Sequence, residues 1–237
     1  CAGGIDGNFE FTFKPESTEP GTIAYKLNVS GLKGGHSGLD IPLGRGNSCK
    51  ILVRLLWHSV QKHGLRLASI ESGNMRNAIP REGFAIVTIP QDEKEKFEKC
   101  LLKSSDEIKA ELSATEPGLQ ISLSAAEMPA HLIDADTQNR MLRAAYGCPN
   151  GVIRMSDAMA GLVETSTNLS IIKSDENSIK ISCLLRSSVN SAKTDLSHMM
   201  GSIFELAGAK VDFNGEYPGW KPNPDSPILK TMQGVYN

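Results

Sequence analysis

One histidine of this 237-residue sequence lies in a glycine-rich segment, LKGGHSGLDI, in which the backbone can approach a ligand closely. His36 stands between Gly35 and Ser37, and an imidazole at this place can donate or accept a hydrogen bond near neutral pH. The residues alone leave two interpretations open. His36 is either a functional side chain, or a surface histidine that is hydrogen-bonded to its own backbone.

Two other polar residues are candidates for ligand contacts. Arg186 ends an alternating apolar segment, 178–186, which predicts a strand with the guanidinium on its open face, where it suits bidentate capture of a carboxylate. The alternative is an ordinary strand-end arginine in water. Asn77, in RNAIPRE, precedes another strand, and its amide can serve either a substrate or the turn itself.

Several common catalytic motifs are absent from the sequence. It contains no H-x-D, no adjacent pair of glutamates, no HExxH, no GxSxG, no phosphate-binding loop and no dinucleotide fingerprint. We therefore predict neither a metal site nor an activated nucleophile within this chain.

Composition excludes two classes of partner. The net charge is -2 and the basic residues are dispersed, whereas binding to nucleic-acid phosphates needs a basic surface. The longest apolar runs, such as 51–57, fall well short of the roughly 18 residues of a membrane span. The five cysteines are scattered without metal-ligand spacing, which favours reduced thiols and a cytoplasmic location.

The hydrophobic periodicity predicts an α+β fold. Helices are expected from Asn47 or Ser48 to 63 and at 91–114, 137–146, 192–207 and 228–237. Strands are expected at 22–29, 65–71, 84–89, 119–124, 169–173, 178–186 and 210–213. Because the order hairpin, helix, strand occurs twice, we predict two ferredoxin-like halves of β-α-β-β-α-β type.

A series of motifs resembles the aminoacyl-histidine dipeptidases, also called Xaa-His dipeptidases or peptidase D. The similarity covers essentially the whole chain, and so many motifs in one order are specific together. In chain order they are LKGGHSGLDI, GRGN, RNAIPRE, PNGVIR, VETSTNLSII, CLLRSSV, LAGAK and YPGWKPNPDSP.

The resemblance implies a cytosolic metallopeptidase with a catalytic α/β domain that holds two zinc ions, and a lid inserted into that domain. Its substrates would be dipeptides with C-terminal histidine, such as carnosine. The metal ligands would lie in segments outside this chain. The resemblance also implies that His36 stabilises the oxyanion, that Asn77 contacts the substrate, and that Arg186 holds the substrate's C-terminal carboxylate.

The same resemblance implies domain boundaries. Residues 1–8 would be a stub of the catalytic domain, 9–214 the lid, with halves at 9–126 and 127–214, and 215–237 the returning catalytic segment. The expected partners are a dipeptide, the enzyme's own catalytic domain and a possible second copy in a homodimer. The abrupt start at Cys1 and a last helix without a stop signal favour an inserted domain. The alternative is a freestanding ferredoxin-like module for dimerisation or ligand binding.

Overall fold

The computed structural model describes residues 2–220, 223 and 225–236. Within them the chain forms thirteen strands and five α-helices. The strands are β1 (Gly3–Thr12), β2 (Pro15–Ser17), β3 (Thr22–Ser30), β4 (Gly35–His36), β5 (Arg66–Ser72), β6 (Ala78–Ile79), β7 (Gly83–Pro90), β8 (Gln120–Ala125), β9 (His131–Ile133), β10 (Gly151–Met155), β11 (Val163–Ser174), β12 (Ser178–Ser187) and β13 (Lys210–Tyr217). The helices are α1 (Ser48–His63), α2 (Lys94–Glu111), α3 (Ala135–Gly147), α4 (Asn190–Leu206) and α5 (Pro227–Tyr236).

Nine of these strands form one sheet rather than two separate ones. Its order is β13-β1-β12-β11-β5-β7-β3-β8, and β10 pairs with β11 beside this path. We call β8-β3-β7-β5 the first group and β13-β1-β12-β11 the second group. The groups meet where β11 runs antiparallel to β5, with Ile172 opposite Ser72 and Lys173 opposite Glu71.

The two groups use the chain in the same way. In the first group the main elements follow as β3, α1, β5, β7, α2 and β8, and in the second as β1, α3, β11, β12, α4 and β13. We call the pairing of β11 with β5 the seam. If each group's strands are numbered in chain order, the strand order from the outer edge to the seam is 4-1-3-2 in both groups. The sheet order is therefore palindromic, and the predicted α+β class is confirmed.

The core lies on one face of this sheet. Apolar residues of all the main strands join one buried cluster with α1 to α4. Helix α1 packs against α2 on one side and α3 on the other, and α3 also contacts α4. The opposite face carries no helical layer within the described residues, so loops can lie across it.

The two ends of helix α1 are set by capping residues that the sequence had predicted. The Oδ1 atom of Asn47 accepts a hydrogen bond from the backbone N–H of Lys50 at 3.1 Å, as an N-cap does. The helix ends at Gly64, whose positive φ of 61° is the usual left-handed helix stop. Both predicted ends are confirmed.

Strand β1 differs from the expectation. Residues 1–8 were predicted to be a stub of another domain, yet β1 begins at Gly3 and pairs along its length with β12 and also with β13. Residues 9–12 therefore belong to the second group, although they were assigned to the first half. The glycines hid this strand: a Cβ on Gly7 would lie 3.0 Å from the rings of Phe9 and Phe213. How the lid divides from a catalytic domain stays a prediction.

Three other bounds shift. The helix predicted at 91–114 begins with a 3-10 turn, Gln91–Glu93, and its α-helical part ends at Glu111. The strand predicted at 169–173 is part of the longer β11. The helix predicted at 228–237 is α5, although Cys1 and Asn237 lie outside the described residues. No helix among the described residues is long and apolar enough to cross a membrane.

We predict unequal thiol reactivity. Burial raises the pKa of Cys49 to about 12 and also raises the pKa values of Cys148 and Cys183, whereas Cys100 is only half-buried. Because the thiolate is the nucleophile, iodoacetamide at neutral pH should label Cys100 at least about tenfold faster than these three. Peptide mass spectrometry measures this, and unfolding in denaturant should equalise the rates. Labelling of Cys49 as fast as Cys100 in the folded chain would contradict the burial.

Candidate functional site

One ring nitrogen of His36 is hydrogen-bonded to the backbone. Its Nδ1 accepts hydrogen bonds from the N–H groups of Gly38 at 3.1 Å and Leu39 at 3.2 Å. A nitrogen that accepts two such bonds carries no proton, so the neutral ring carries its proton on Nε2. The imidazole is thereby prepared to donate a hydrogen bond through Nε2.

The segment around His36 is closed by its own hydrogen bonds. Oδ2 of Asp40 accepts from the N–H of His36 at 2.8 Å, and the N–H of Asp40 donates to the carbonyl of His36 at 2.9 Å. Arg45 approaches the same carboxylate at 3.3 Å. Gly35 has a φ of 141°, and a Cβ there would meet Asp40 and Arg45, so only glycine fits this turn. The histidine thus sits on a compact turn.

Asn77 is brought beside His36 by strand pairing. His36 in β4 lies opposite Ala78 in β6, and the N–H of Ser37 donates to the carbonyl of Asn77 at 2.9 Å. The Asn77 side chain is half-buried, and none of the described residues forms a hydrogen bond with its amide. This amide is available to a ligand.

The loop that carries Asn77 lies across the second group. Nδ2 of Asn168, on β11, donates to the carbonyl of Ala78 at 2.7 Å. Nη1 of Arg76 donates to both carboxylate oxygens of Asp6, on β1, at 2.8 and 2.7 Å. Asn168 and Asp6 both lie opposite Leu184 in the sheet register, which places them on the face away from the helices.

Arg186 lies on that same open face, as the sequence predicted. It is opposite Gly4 of β1 and Ser166 of β11. Its Nε is buried and has no hydrogen-bond partner among the described residues. A half-buried guanidinium with an unpaired donor favours an acceptor such as a carboxylate.

Gly38 marks the point at which the histidine and the arginine meet. A Cβ atom built on Gly38 would lie 3.2 Å from Nη1 of Arg186 and 3.2 Å from Cε1 of His36. His36 and Arg186 therefore meet beside Gly38, and the backbone of Asn77 lies next to this point because its carbonyl accepts from the N–H of Ser37. With two hydrogen-bond donors and a positive charge, this region can hold an oxyanion and a carboxylate.

The site is a surface rather than an enclosed pocket. A cavity of about 600 Å³ lies beside β6 and is lined by residues such as Lys33, Arg81 and Phe84, but by none of the three predicted site residues. Two apolar side chains next to the site, Leu39 and Met75, are 79% and 57% exposed, as expected of a surface that faces another domain.

The site holds no set of metal ligands. Between residues 2 and 220, at 223 and over 225–236, no group of three or more His, Cys, Asp or Glu side chains could bind an ion. The described residues of this site therefore do not fit a zinc centre.

Comparison with known proteins finds similar dipeptidases. A family model described as a peptidase dimerisation domain matches residues 18–116. The chain is 37% identical over 236 residues to the cytosol non-specific dipeptidase of Escherichia coli (strain K12). This alignment covers 100% of the chain and 49% of that protein. The crystal structure of aminoacylhistidine dipeptidase from Vibrio alginolyticus is 39% identical, with a TM-score of 0.96, over 100% of this chain and 49% of that one. Over its full length the chain is therefore similar to about half of an aminoacylhistidine dipeptidase.

The chain spans about half the length of the curated dipeptidase that it matches. The match to the dimerisation domain runs from just after β2 to the turn after α2, so it includes His36 and Asn77 but not Arg186. The sequence had predicted the three candidate residues. It had not shown Gly38 as a meeting point, nor the Arg76–Asp6 ion pair, because sequence spacing carries no signal of contacts between such distant residues.

The tautomer of His36 is open to direct measurement. In nitrogen-15 NMR spectra of the labelled chain, neutral His36 should carry its proton on Nε2, because Nδ1 accepts the two backbone hydrogen bonds. The N–H groups of Gly38 and Leu39 should exchange slowly, since both are hydrogen-bonded. The ring of exposed His131 is the internal control. A proton on Nδ1 of His36 would contradict this arrangement.

Proposed function

We propose that this chain forms the substrate-clamping lid of a dipeptidase that hydrolyses Xaa-His and related dipeptides. The observation that carries the proposal is that His36 and Arg186 meet at Gly38, while the backbone of Asn77 is hydrogen-bonded to the neighbouring Ser37. The names of the related proteins support the substrate class, and the chain would act together with a catalytic domain outside it.

In this proposal His36 is the oxyanion donor. When the peptide carbonyl is attacked, negative charge develops on its oxygen, and a preset donor stabilises that charge without reorganisation. The Nε2–H of His36 suits this role, because the two backbone bonds to Nδ1 fix the orientation of the ring. His36 would thereby act mainly in the transition state.

Arg186 would bind the C-terminal carboxylate of the dipeptide. Its place on a central strand fixes the guanidinium better than a loop does, and the fork of donors matches a carboxylate. Asn77 would contact the substrate through its free amide. Together these residues would orient the dipeptide, which lowers the entropic part of the barrier.

We further propose that the two strand groups are ferredoxin-like halves related by a pseudo-twofold axis. The palindromic sheet order supports this, as does the shared order of elements within each group. The first group contributes His36 and Asn77, and its loops lie across the open face of the second group, which contributes Arg186. The first half would then act as a built-in partner, so that one chain completes its own site.

The remaining parts of the proposal rest on the family. The intact enzyme would be cytoplasmic and would hold two zinc ions through residues outside this chain. Zinc there would polarise the scissile carbonyl. A homodimer is also proposed, since the matched family model is described as a dimerisation domain.

The decisive comparison is between this chain and the complete enzyme. Zinc content and carnosine hydrolysis would be measured on both proteins. We expect zinc and turnover in the complete enzyme only. Zinc binding and turnover by the 237-residue chain alone would overturn the proposal.

We predict that His36→Ala lowers kcat of the complete enzyme by on the order of 10²–10³, as loss of one oxyanion donor does. Steady-state kinetics with carnosine would measure this. His131→Ala, which removes an exposed histidine of β9, is the matched control and should leave kcat unchanged. Wild-type kcat in His36→Ala would remove His36 from the mechanism.

We predict that Arg186→Ala mainly raises KM, by roughly 10- to 100-fold, because charged hydrogen bonds to the substrate carboxylate are lost. The control is Lys180→Ala, which removes an exposed cation from the same strand. A dipeptide amide, which lacks the carboxylate, should be cleaved equally by wild type and Arg186→Ala. An unchanged KM for the free dipeptide would argue against carboxylate capture.

A further inference from the structure

A buried carboxylate lies at the base of the segment that carries His36. Glu116 is only 2% exposed, and its Oε2 accepts from the N–H of Lys33 at 2.8 Å. Its other oxygen, Oε1, accepts from the N–H of Gly46 at 2.9 Å. One side chain therefore binds the chain just before His36 and again where the same segment ends.

The position of Glu116 is itself fixed by the turn after α2. Its N–H donates to the carbonyl of Leu112 at 2.7 Å, and its carbonyl accepts from Leu119 at 3.1 Å. Close packing surrounds the contact, since a Cβ on Gly46 would lie 2.6 Å from Leu32 and 3.3 Å from Cγ of Glu116. The carboxylate thus joins the 33–46 segment to a rigid part of the first group.

A structural role alone accounts poorly for a charge at this place. None of the described residues forms an ion pair with Glu116, and burying an unpaired carboxylate costs free energy. Its compensation is the pair of charge-assisted bonds to backbone N–H groups. A carboxylate is also the one side chain whose two oxygens both accept without presenting a donor.

We propose that Glu116 is a positioning residue for His36. By holding Lys33 and Gly46 together, it closes the segment whose internal bonds orient the imidazole. Its effect on catalysis rests on the proposed role of His36, whereas its effect on the imidazole does not.

The first test uses Glu116→Gln in the 237-residue chain. Glutamine has the same shape, but its NH₂ group would face one of the two N–H donors, so one bond is lost. We expect hydrogen exchange at Lys33 or Gly46 to rise about tenfold or more, and the ring nitrogen resonances of His36 to shift or broaden. Unchanged His36 resonances in a folded Glu116→Gln chain would overturn the proposal.

The control is Glu111→Gln, which neutralises an exposed carboxylate at the end of α2 that pairs with Arg54. It should leave the His36 resonances unchanged, and a shift equal to that of Glu116→Gln would also overturn the proposal. If Glu116→Gln does not fold, Glu116→Asp replaces it. Aspartate keeps both acceptors but withdraws them by one methylene, so a smaller shift in the same direction is expected, and no shift overturns the proposal.

The second test separates positioning from general damage by a double-mutant cycle in the complete enzyme. Glu116→Gln should lower kcat by about tenfold with little change in KM, because Arg186 still binds the substrate. In a His36→Ala background the same substitution should have almost no further effect. An equal loss of kcat in both backgrounds would show that Glu116 does not act through His36 and would overturn the proposal.

The two tests also distinguish this inference from the proposed function. If His36→Ala alone leaves kcat unchanged, the function assigned to His36 fails, and the NMR result still decides whether Glu116 positions the ring. If His36→Ala lowers kcat but Glu116→Gln leaves the ring unchanged, the function stands and the positioning role fails.

Discussion

Two antiparallel residue pairs, Ile172 with Ser72 and Lys173 with Glu71, join the two strand groups into one sheet. The relative positions of the candidate residues His36, Asn77 and Arg186 depend on this seam. Asn47 reinforces it, because its Nδ2 donates to the carbonyl of Leu169 at 2.9 Å while its Oδ1 caps α1. A single buried amide thereby attaches a helix of the first group to a strand of the second. The seam is short, but it is supported by side-chain hydrogen bonds, which are stronger in a buried environment than in water.

The seam decides which loops reach which face. A loop that leaves β5 at the seam has to cross β11 at once, and the chain does so at Gly73, where a Cβ would lie 1.9 Å from the carbonyl oxygen of Ser170. Gly73 also has a positive φ of 73°, so both the space and the backbone conformation require glycine. This crossing carries Asn77 over the second group, and strand pairing then brings His36 with it.

Features that depend on neighbouring residues in the sequence, such as helix ends and strand alternation, were predicted correctly. The apolar period and the caps gave α1 correctly, and alternation placed β3 and the open-face position of Arg186. Strand β1 was missed because glycines replace side chains where rings pack against it, which weakens the alternation. The continuous sheet was also missed, since the pairing of β11 with β5 joins residues about 100 positions apart and depends on tertiary packing rather than on local preference. The roles of the site residues came from the family resemblance.

The two groups differ at the position that corresponds to Arg186. Arg186 lies near the end of β12, and the open-face positions toward the same end of β7 are Thr88 and Pro90, neither of which carries charge. Neither position therefore offers the positive charge that would pair with a carboxylate. The first group instead supplies a glycine-containing turn. Backbone hydrogen bonds and the buried carboxylate of Glu116 hold this turn in place. In the proposed function, a rigid strand of one group would bind the substrate and a turn of the other would carry the oxyanion donor. A substrate could then be clamped between a fixed charge and a donor on the opposite side.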